Sequence, residues 1–250
     1  MKTIISRSNE EIKLVSELHN TKGRKEHNLF LAEGLRTCTT LIKGGMKIKQ
    51  IYTLEEHYEP MKKLANYDLV TVVPGPVMEK ISALTTPSGI VATFEIPAQS
   101  AFSELKPGLV LAQISDPGNM GTLIRTASAL NITNVVIVEG ADVWSPKVIQ
   151  ATAGTIAHVK IFSCSWDALV QWKKDLQLCA LVVKGGKAPH EIDAKNLLLV
   201  VGNEATGIAI PWLRNCNSYM TIPMPGKAES LNAAVAGSIA SYLAFASQPS

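Results

Sequence analysis

The second half of the chain alternates between short apolar runs and helical patterns. Six apolar runs are predicted as strands, at 109–114, 134–138, 158–162, 178–183, 196–202 and 218–223. Helical patterns separate most of them, and a helix of small residues follows the last. Continuous apolar strands that alternate with helices are typical of a parallel sheet covered on both faces. We therefore predict an α/β fold with a parallel sheet here.

The first half alternates too, and it is also predicted to be α/β. Asn9 is a predicted N-cap for a helix through 12–20. Further helices are predicted at 35–45, 57–66 and 76–84, and strands at 29–34, 47–54, 68–74 and 89–97. A polar stretch flanked by Pro97 and Pro107 is predicted to be the linker. The predicted domains are 1–97 and 108–250, joined by 98–107.

Composition narrows the class of protein. Apolar residues make up 46% of the chain, as in a globular protein with a sizeable core. No apolar run is long enough to span a membrane, and the N-terminal residues turn charged too soon for a signal peptide, so we expect a cytoplasmic protein. The four cysteines are scattered without a histidine cluster, which argues against disulfides and against a metal site.

The net charge is only +3, but basic residues cluster in the first half. Between His19 and Lys49, seven basic residues stand against two acidic ones. Such a patch suits a polyanion, and an ordinary solvated helix face is the alternative. Lys22, Arg24, Lys25 and Arg36 belong to this patch.

Three loops of the second half combine glycine with unusual polar residues. They are Asp116–Ala127 (DPGNMGTLIRTA), Val201–Ile208 (VGNEATGI) and Thr221–Ala246 (TIPMPGKAESLNAAVAGSIASYLAFA). Each begins at the carboxyl end of a predicted strand, which is where parallel sheets bind ligands. Three such loops in one domain are hard to explain by packing alone.

The first two loops offer charged side chains. Arg125 lies among apolar residues in its predicted helix, so we expect it on the core side, where it would pair with a carboxylate or grip a phosphate. A purely structural salt bridge is the alternative. The second loop brackets Glu204 with Gly202 and Gly207, but it is neither GxGxxG nor a P-loop, so neither a dinucleotide nor a triphosphate is favoured.

The third loop offers a place for a flat ring. Ile222 and Met224 provide apolar surface, Leu231 could cover a ligand from the other side, and Ser230 and Asn232 add a hydroxyl and an amide. For Ser230, the alternative is a simple N-cap of the final helix.

The three motifs together are more specific than any one of them. N-x-G-x-x-x-R from Asn119, G-N-E-x-x-G-I from Gly202 and I-P-M-x-G-x-x-E-S-L-N-x-A-V-A from Ile222 resemble the SpoU (TrmH) family of RNA ribose 2′-O-methyltransferases, in the SPOUT superfamily. KxRxxxxLFLAEGLR, from Lys22 to Arg36, is similar to the family's RNA substrate-binding domain, which resembles a ribosomal-protein fold.

The resemblance implies a deep trefoil knot in the second domain, a homodimer with its site near the subunit interface, and S-adenosylmethionine as the methyl donor. It implies that backbone groups of Gly202, Ile222 and Leu231 contact this donor, and that Asn203, Glu204 and Met224 lie at the same pocket.

The resemblance also implies that Arg125 serves as an unusual base or positions the phosphate and the hydroxyl. A protonated guanidinium is a poor base, so both roles stay open. Asn119, Glu204, Ser230 and Asn232 would hold Arg125 and the ribose in place.

The expected partner is RNA, with 23S rRNA favoured over tRNA. Lys22, Arg24, Lys25 and Arg36 are predicted to contact it. A non-catalytic RNA-binding relative is one alternative. A nucleotide-dependent enzyme on a Rossmann-like sheet is another, although GxGxxG is missing.

Overall fold

The computed structural model describes residues 2–65 and 67–246, which fall into two compact units. Unit 1 contains the chain up to Ala98 together with Asp142–Ala157, and unit 2 contains Gln99–Ala141 and the chain from His158 onward. The sequence patterns gave no sign that 142–157 returns to unit 1. The predicted linker 98–107, apart from Ala98, belongs to unit 2, and its Phe102 and Leu105 pack into the core of that unit.

The sheet of unit 1 is mixed, with the strand order β1-β4-β3-β5-β2. Its parallel pairs are β1 with β4 and β4 with β3, whereas β5 runs antiparallel to both β3 and β2. The strands are β1 (Lys2–Thr3), β2 (Leu29–Glu33), β3 (Ile48–Thr53), β4 (Val70–Val72) and β5 (Ile90–Glu95). Strand β2 is therefore one edge of this sheet.

Five helices of unit 1 precede residue 98: α1 (Glu10–Glu17), α2 (Thr21–His27), α3 (Leu35–Lys43), α4 (Tyr58–Leu64) and α5 (Gly75–Ile81). Asn9 caps α1 as predicted, since its side chain accepts a hydrogen bond from the Glu11 amide at 2.8 Å. Only α2 was not predicted, because its sequence TKGRKEH has no apolar periodicity. Asn66, the last residue of the predicted helix 57–66, lies outside the described residues.

All six predicted strands of the second half are present: β6 (Gly108–Ala112), β7 (Asn134–Val138), β8 (Lys160–Cys164), β9 (Gln177–Leu181), β10 (Leu197–Val201) and β11 (Ser218–Met220). The helices here are α6 (Pro117–Ala129), α7 (Pro146–Thr152), α8 (Trp166–Trp172), α9 (Ile210–Leu213) and α10 (Ala233–Ser241), and α10 continues as a π-helical turn, Tyr242–Ala246. Of these, α7 belongs to unit 1.

The sheet of unit 2 is wholly parallel, as predicted, with the order β11-β9-β10-β6-β7-β8. Its central strands are fully buried, and Val110 on β6 lies between Val200 and Val136. Helix α10 packs closely on α6: a Cβ at Gly237 would lie only 2.5 Å from Leu123 Cδ2. This explains the small residues of the last helix.

The segment 142–157 covers the edge strand β2 of unit 1. Helix α7 packs against β2, and the Trp144 ring lies 5.0 Å from that of Phe30. Beyond α7, Gly154 has φ +83°. A Cβ added at this position would lie 2.6 Å from the Thr37 carbonyl oxygen on α3. Glycine is therefore required at this approach.

Arg24 is the residue that holds this segment. Its side chain is only 3% exposed, and Nη2 and Nε lie 2.6 and 3.0 Å from Asp142 Oδ2. It also donates to the Leu18 carbonyl and to Thr21 Oγ1. The prediction that Arg24 contacts RNA is thus wrong for this structure, because its guanidinium is buried and already paired.

We expect Arg24→Met to lower the free energy of unfolding by about 3 kcal/mol, the lower end of the range for a broken buried ion pair, since Asp142 stays partly exposed. Urea unfolding measures this change. Lys25→Met, at the exposed neighbour on α2, is the matched control and should stay within about 0.5 kcal/mol of the unsubstituted protein. Equal stability of the two variants would contradict a structural role for the pair.

Candidate functional site

The three polar loops follow β6, β10 and β11, and hydrogen bonds connect them. Glu204, after β10, receives most of these bonds from the loop after β6. Its Oε1 accepts from Asn119 Nδ2 at 3.0 Å and from the Asp116 amide at 3.3 Å. Its Oε2 accepts from the Ser115 hydroxyl at 3.1 Å and the Ser115 amide at 3.4 Å. One carboxylate therefore fixes the start of α6 against the second loop.

Asn119 links the Glu204 carboxylate to the third loop. Its Oδ1 accepts from Asn232 Nδ2 at 3.1 Å, while Asn232 Oδ1 accepts from the amides of Ala234 and Val235 at 2.9 and 3.2 Å. Asn232 is thus the N-cap of α10, so the alternative that Ser230 caps this helix is wrong. Each amide group is oriented by the next, which leaves a single arrangement for the chain Glu204–Asn119–Asn232.

The hydrogen bonds also determine the charge of Glu204. Its partial burial alone would raise the pKa of the carboxyl, but the donors Asn119, Ser115 and Asp116 outweigh burial and lower the pKa below its usual value. The carboxylate is therefore ionised at neutral pH. Its contribution to the network is lost only as the pH falls through this lowered pKa.

Asn203 closes the second loop on itself. Its Nδ2 donates to the Gln113 carbonyl at 2.8 Å, and its Oδ1 accepts from the amides of Ala205 and Thr206. Its backbone also exchanges two hydrogen bonds of 3.0 Å with Gly207. The side chain of Asn203 is therefore used to shape the loop.

A cavity of about 340 Å³ opens among these loops. It is lined mainly by apolar side chains and backbone, and Glu204 is the one charged residue among the described residues that line it. The predicted residues that line it are Gly202, Asn203, Glu204, Ile222, Met224, Ser230 and Leu231. The sequence analysis missed Leu181, Val182 and Val183, at the end of β9, because no unusual polar residue marks them and only their place between β10 and β11 brings them here.

Gly202 forms part of the cavity wall where the loop leaves β10. A Cβ at this position would lie 2.5 Å from the Gly207 carbonyl carbon and 2.6 Å from the Ile208 amide nitrogen. Backbone atoms cannot move aside as a side chain can, so glycine is required here. The backbone of the loop is thereby left open towards the cavity.

Arg125 does not lie where the sequence analysis expected it. Its side chain is exposed, and it forms no ion pair within 2–65 and 67–246, so both the core-side position and the structural salt bridge are wrong. It is absent from the cavity lining, because six residues along a helix turn a side chain about 120° away from Asn119. The adjacent Thr126 hydroxyl lies 2.8 Å from that of Ser238 on α10. Arg125 is thus the chain neighbour of a residue that contacts α10, but it lies on a different face of α6 from Asn119 and Thr126.

The predicted RNA-binding residues other than Arg24 are exposed. Lys22, Lys25 and Arg36 form no ion pair in the part of the chain that the structure describes. By contrast, Lys47 and Lys49 of the same basic cluster both pair with Glu95. The cluster thus divides into a paired part and an unpaired part.

The four cysteines are free thiols, and none of them is exposed. Cys38 and Cys179 are buried, Cys164 and Cys216 are half-buried, and all four are free. Burial raises the pKa of the Cys38 thiol to about 12, so it is an unreactive core residue. Within the described ranges, no three His, Cys, Asp or Glu side chains are grouped as metal ligands, and no helix is long and apolar enough to cross a membrane.

Comparison with known proteins places this site in a family. The family model described as SpoU rRNA Methylase family matches residues 107–242, which contain all three loops, and a model described as MRM3-like substrate binding domain matches residues 9–92. The chain belongs to the SpoU rRNA methylase family.

Relatives in this family match the chain over nearly its whole length. The 23S rRNA (guanosine(2553)-2′-O)-methyltransferase RlmP of Bacillus subtilis is 30% identical over 97% of this chain and 98% of its own. The 23S rRNA (uridine(2479)-2′-O)-methyltransferase of Streptomyces viridochromogenes is 25% identical over 90% of this chain and 85% of its own.

The fold is shared with solved structures of the family. An AdoMet-bound rRNA methyltransferase from Sinorhizobium meliloti superposes with a TM-score of 0.88 at 28% identity, covering 100% of this chain and 99% of that one. The resemblance inferred from the three motifs is thereby confirmed.

The cap of α10 can be tested by substitution. We expect Asn232→Ala to cost about 1–2 kcal/mol of stability in urea unfolding, because two amides of α10 lose their acceptor. Asn232→Ser is the matched control and should recover most of this loss, since serine also caps helices. Serine cannot copy the amide bond to Asn119, so a residual loss in the serine variant would measure that contact. A fully stable alanine variant would contradict the cap.

Proposed function

We propose that this protein transfers a methyl group from S-adenosylmethionine to a ribose 2′-hydroxyl of RNA, with 23S rRNA favoured over tRNA. The observation that carries the proposal is the chain Glu204–Asn119–Asn232 at the edge of an apolar cavity, in a member of this family. The names of the curated relatives, two of which act on 23S rRNA, support the choice of RNA.

The cavity fits the methyl donor in size and chemistry. Its volume lies at the lower end of the range of small-molecule sites, about 300–1,000 Å³, and its wall is mostly apolar. We assign Ile222, Met224 and Leu231 to the flat adenine ring, and the open backbone at Gly202 to the polar edge of that ring. When bound, S-adenosylmethionine supplies a methyl group on a positively charged sulfur, and an apolar wall suits a reaction that removes this charge.

The polar residues of the site then have distinct tasks. Glu204 orders the loops, whereas Asn119 and Asn232 are already engaged with each other and act as positioning residues. We assign Ser230, an exposed residue that lines the cavity, to the ribose. Alignment of the reacting groups by such residues can supply much of the rate enhancement.

Arg125 is assigned to the RNA. Its exposed guanidinium is suited to a phosphate or the attacking hydroxyl. A guanidinium is normally protonated, so we favour a positioning role over that of a general base. Because Arg125 lies outside the cavity lining, its loss should affect methyl transfer more than binding of the donor.

The chemistry also narrows the form of the RNA. A 2′-hydroxyl distinguishes RNA from DNA, and a nucleotide in an exposed loop reaches a closed pocket more easily than one in a regular helix. We assign Lys22, Lys25 and Arg36 to the salt-dependent part of binding, since phosphate contacts dominate it. We expect the protein to act on its RNA substrate in the cytoplasm. Transfer of a methyl group from a sulfonium does not need a metal ion.

The protein is further proposed to be a homodimer that joins through α10. Val235, Ile239 and Tyr242 are 47%, 37% and 57% exposed, and their spacing places them on one helical face. Contiguous exposed apolar residues are typical of protein interfaces. The trefoil knot implied by the family stays an expectation.

The function is tested with tritiated S-adenosylmethionine and 23S rRNA or tRNA transcripts, and the modified ribose is then mapped. We expect transfer to the 2′-hydroxyl of rRNA and none to DNA. Arg125→Lys should lower kcat at least about a hundredfold, because lysine lacks the planar fork, while the Kd for S-adenosylmethionine stays within about twofold. If this variant transferred methyl groups at nearly the full rate, the proposed role of Arg125 would be wrong. A protein that binds rRNA without methyl transfer would be the non-catalytic relative.

The dimer is tested by Ile239→Asp, which places a charge in the centre of the apolar face. We expect a monomer in analytical ultracentrifugation, because burying an unpaired carboxylate is costly. Ile210→Asp is the matched control, since Ile210 is 71% exposed on α9 and is not part of this face. A dimeric Ile239→Asp variant, or a monomeric Ile210→Asp variant, would move the interface away from α10.

A further inference from the structure

The segment Asp142–Ala157 adds exposed residues to unit 1 that the RNA-binding prediction did not include. We propose that the RNA surface of unit 1 continues from α2 onto this segment, with Lys147 as a further residue that contacts RNA phosphate. This inference rests on the proposed function, because it assumes that RNA is the partner. It concerns unit 1 alone and does not involve the methyl-donor cavity.

The buried ion pair determines where the segment lies. Arg24 is in the middle of α2, and its two bonds to Asp142 Oδ2, at 2.6 and 3.0 Å, hold the beginning of the segment against this helix. Lys22 and Lys25, on either side of Arg24 in the chain, are both exposed. Arg24, which was predicted to bind RNA, instead holds the beginning of the segment 142–157 against α2. Lys22 and Lys25 on the same helix are exposed and can contact RNA.

A short turn leads from this ion pair to α7. The Ser145 amide donates to the Asp142 carbonyl at 3.0 Å, and the Trp144 amide donates to Asp142 Oδ1 at 3.0 Å. Ser145 then caps α7 by accepting from the Val148 amide. Lys147 is exposed in the first turn of this helix, only two residues beyond the cap. Lys147 thus follows, by five residues, the aspartate that is bound to Arg24 of α2.

Ion pairs neutralise five lysines of unit 1, whereas others, Lys43 and Lys63 among them, form none among the described residues. Lys2, Lys13 and Lys62 pair with Glu11, Glu10 and Glu59, and Lys47 and Lys49 pair with Glu95. Lys22, Lys25 and Lys147 have no such partner among the described residues.

The nearest carboxylate in the new segment is already in use. Asp142 is paired with the buried Arg24, so it does not offset the charge of Lys147. Glu26 on α2 is the acidic residue that faces solvent beside Lys25. Glu17 of α1 is a second exposed carboxylate here, 2.8 Å from His27 Nε2 of α2. Two lysines of α2 and one of α7 against these two glutamates still leave a net positive surface, which suits a polyanion.

The test measures RNA affinity of the full-length protein as a function of salt. The probe is a fluorescein-labelled stem-loop RNA, and the variant is Lys147→Gln. We expect the Kd to rise about three- to tenfold near 0.1 M KCl, and the slope of log K against log salt to shrink by about 0.7–0.9, the value for one phosphate contact. Affinity for S-adenosylmethionine should not change. Lys147→Arg keeps the charge and should bind as the unsubstituted protein does.

Lys63→Gln is the matched control, because Lys63 is an exposed lysine on α4, which packs on β3 and β4 rather than on the β2 edge. If Lys22→Gln and Lys25→Gln weaken binding but Lys147→Gln behaves like the control, the extension onto the segment is overturned while the surface on α2 stands. If none of these variants changes the affinity of an enzyme that still methylates RNA, the surface is overturned and the proposed function is not. Absence of methyl transfer by the unsubstituted protein would instead count against the proposed function.

Discussion

The candidate site depends on how the ionised carboxylate of Glu204 gathers donors from a neighbouring strand end. Strands β6 and β10 are adjacent and parallel, so the loops that follow them begin side by side at the same edge of the sheet. Glu204 holds the loop after β6 through Ser115, Asp116 and Asn119. Without a group that accepts all of these bonds, each of these amides would need another acceptor or water. The shape of the site thus follows from the hydrogen-bonding capacity of one side chain.

The position of α10 also depends on Glu204, but indirectly, through Asn119. Asn119 orients Asn232, and Asn232 caps α10, so the helix begins where the first and third loops meet. From that point its small residues allow it to lie close to α6, where a Cβ at Gly237 would have no room. The apolar stripe left on its outer face then becomes the natural place for a second copy. Cavity, helix and proposed dimer are in this way parts of one arrangement.

Unit 1 depends on a different interaction, in which a buried cation holds a distant segment. Arg24 is deep enough that it requires a carboxylate, and Asp142 comes from a part of the chain more than a hundred residues away. The edge strand β2 is covered as a result, and α7 is added to the surface. In a sequence, such an arginine looks the same as one that faces RNA.

Local patterns predicted much of this protein. The six strands of the parallel sheet, the cap at Asn9 and the three ligand loops could be read from the sequence, because apolar runs and turn residues act over a few neighbours. The residues that line the cavity beside Glu204 were largely found as well, since parallel strands must open at one edge. Leu181 and Val183 were missed because only strand order brings them there.

What the sequence could not determine were the contacts between residues far apart along the chain. Whether Arg24 and Arg125 are buried, paired or free depends on which segment packs over each of them, and both predictions were wrong for that reason. No local sequence pattern marks the return of 142–157 to unit 1 either. The spacing of apolar residues in its helix α7 is the same whichever unit the helix packs against. The sequence by itself determined the elements, the chemistry at the strand ends and the family. Only the tertiary structure decided which charges are used to hold the chain together and which remain for RNA, because burial and pairing are properties of the packed molecule.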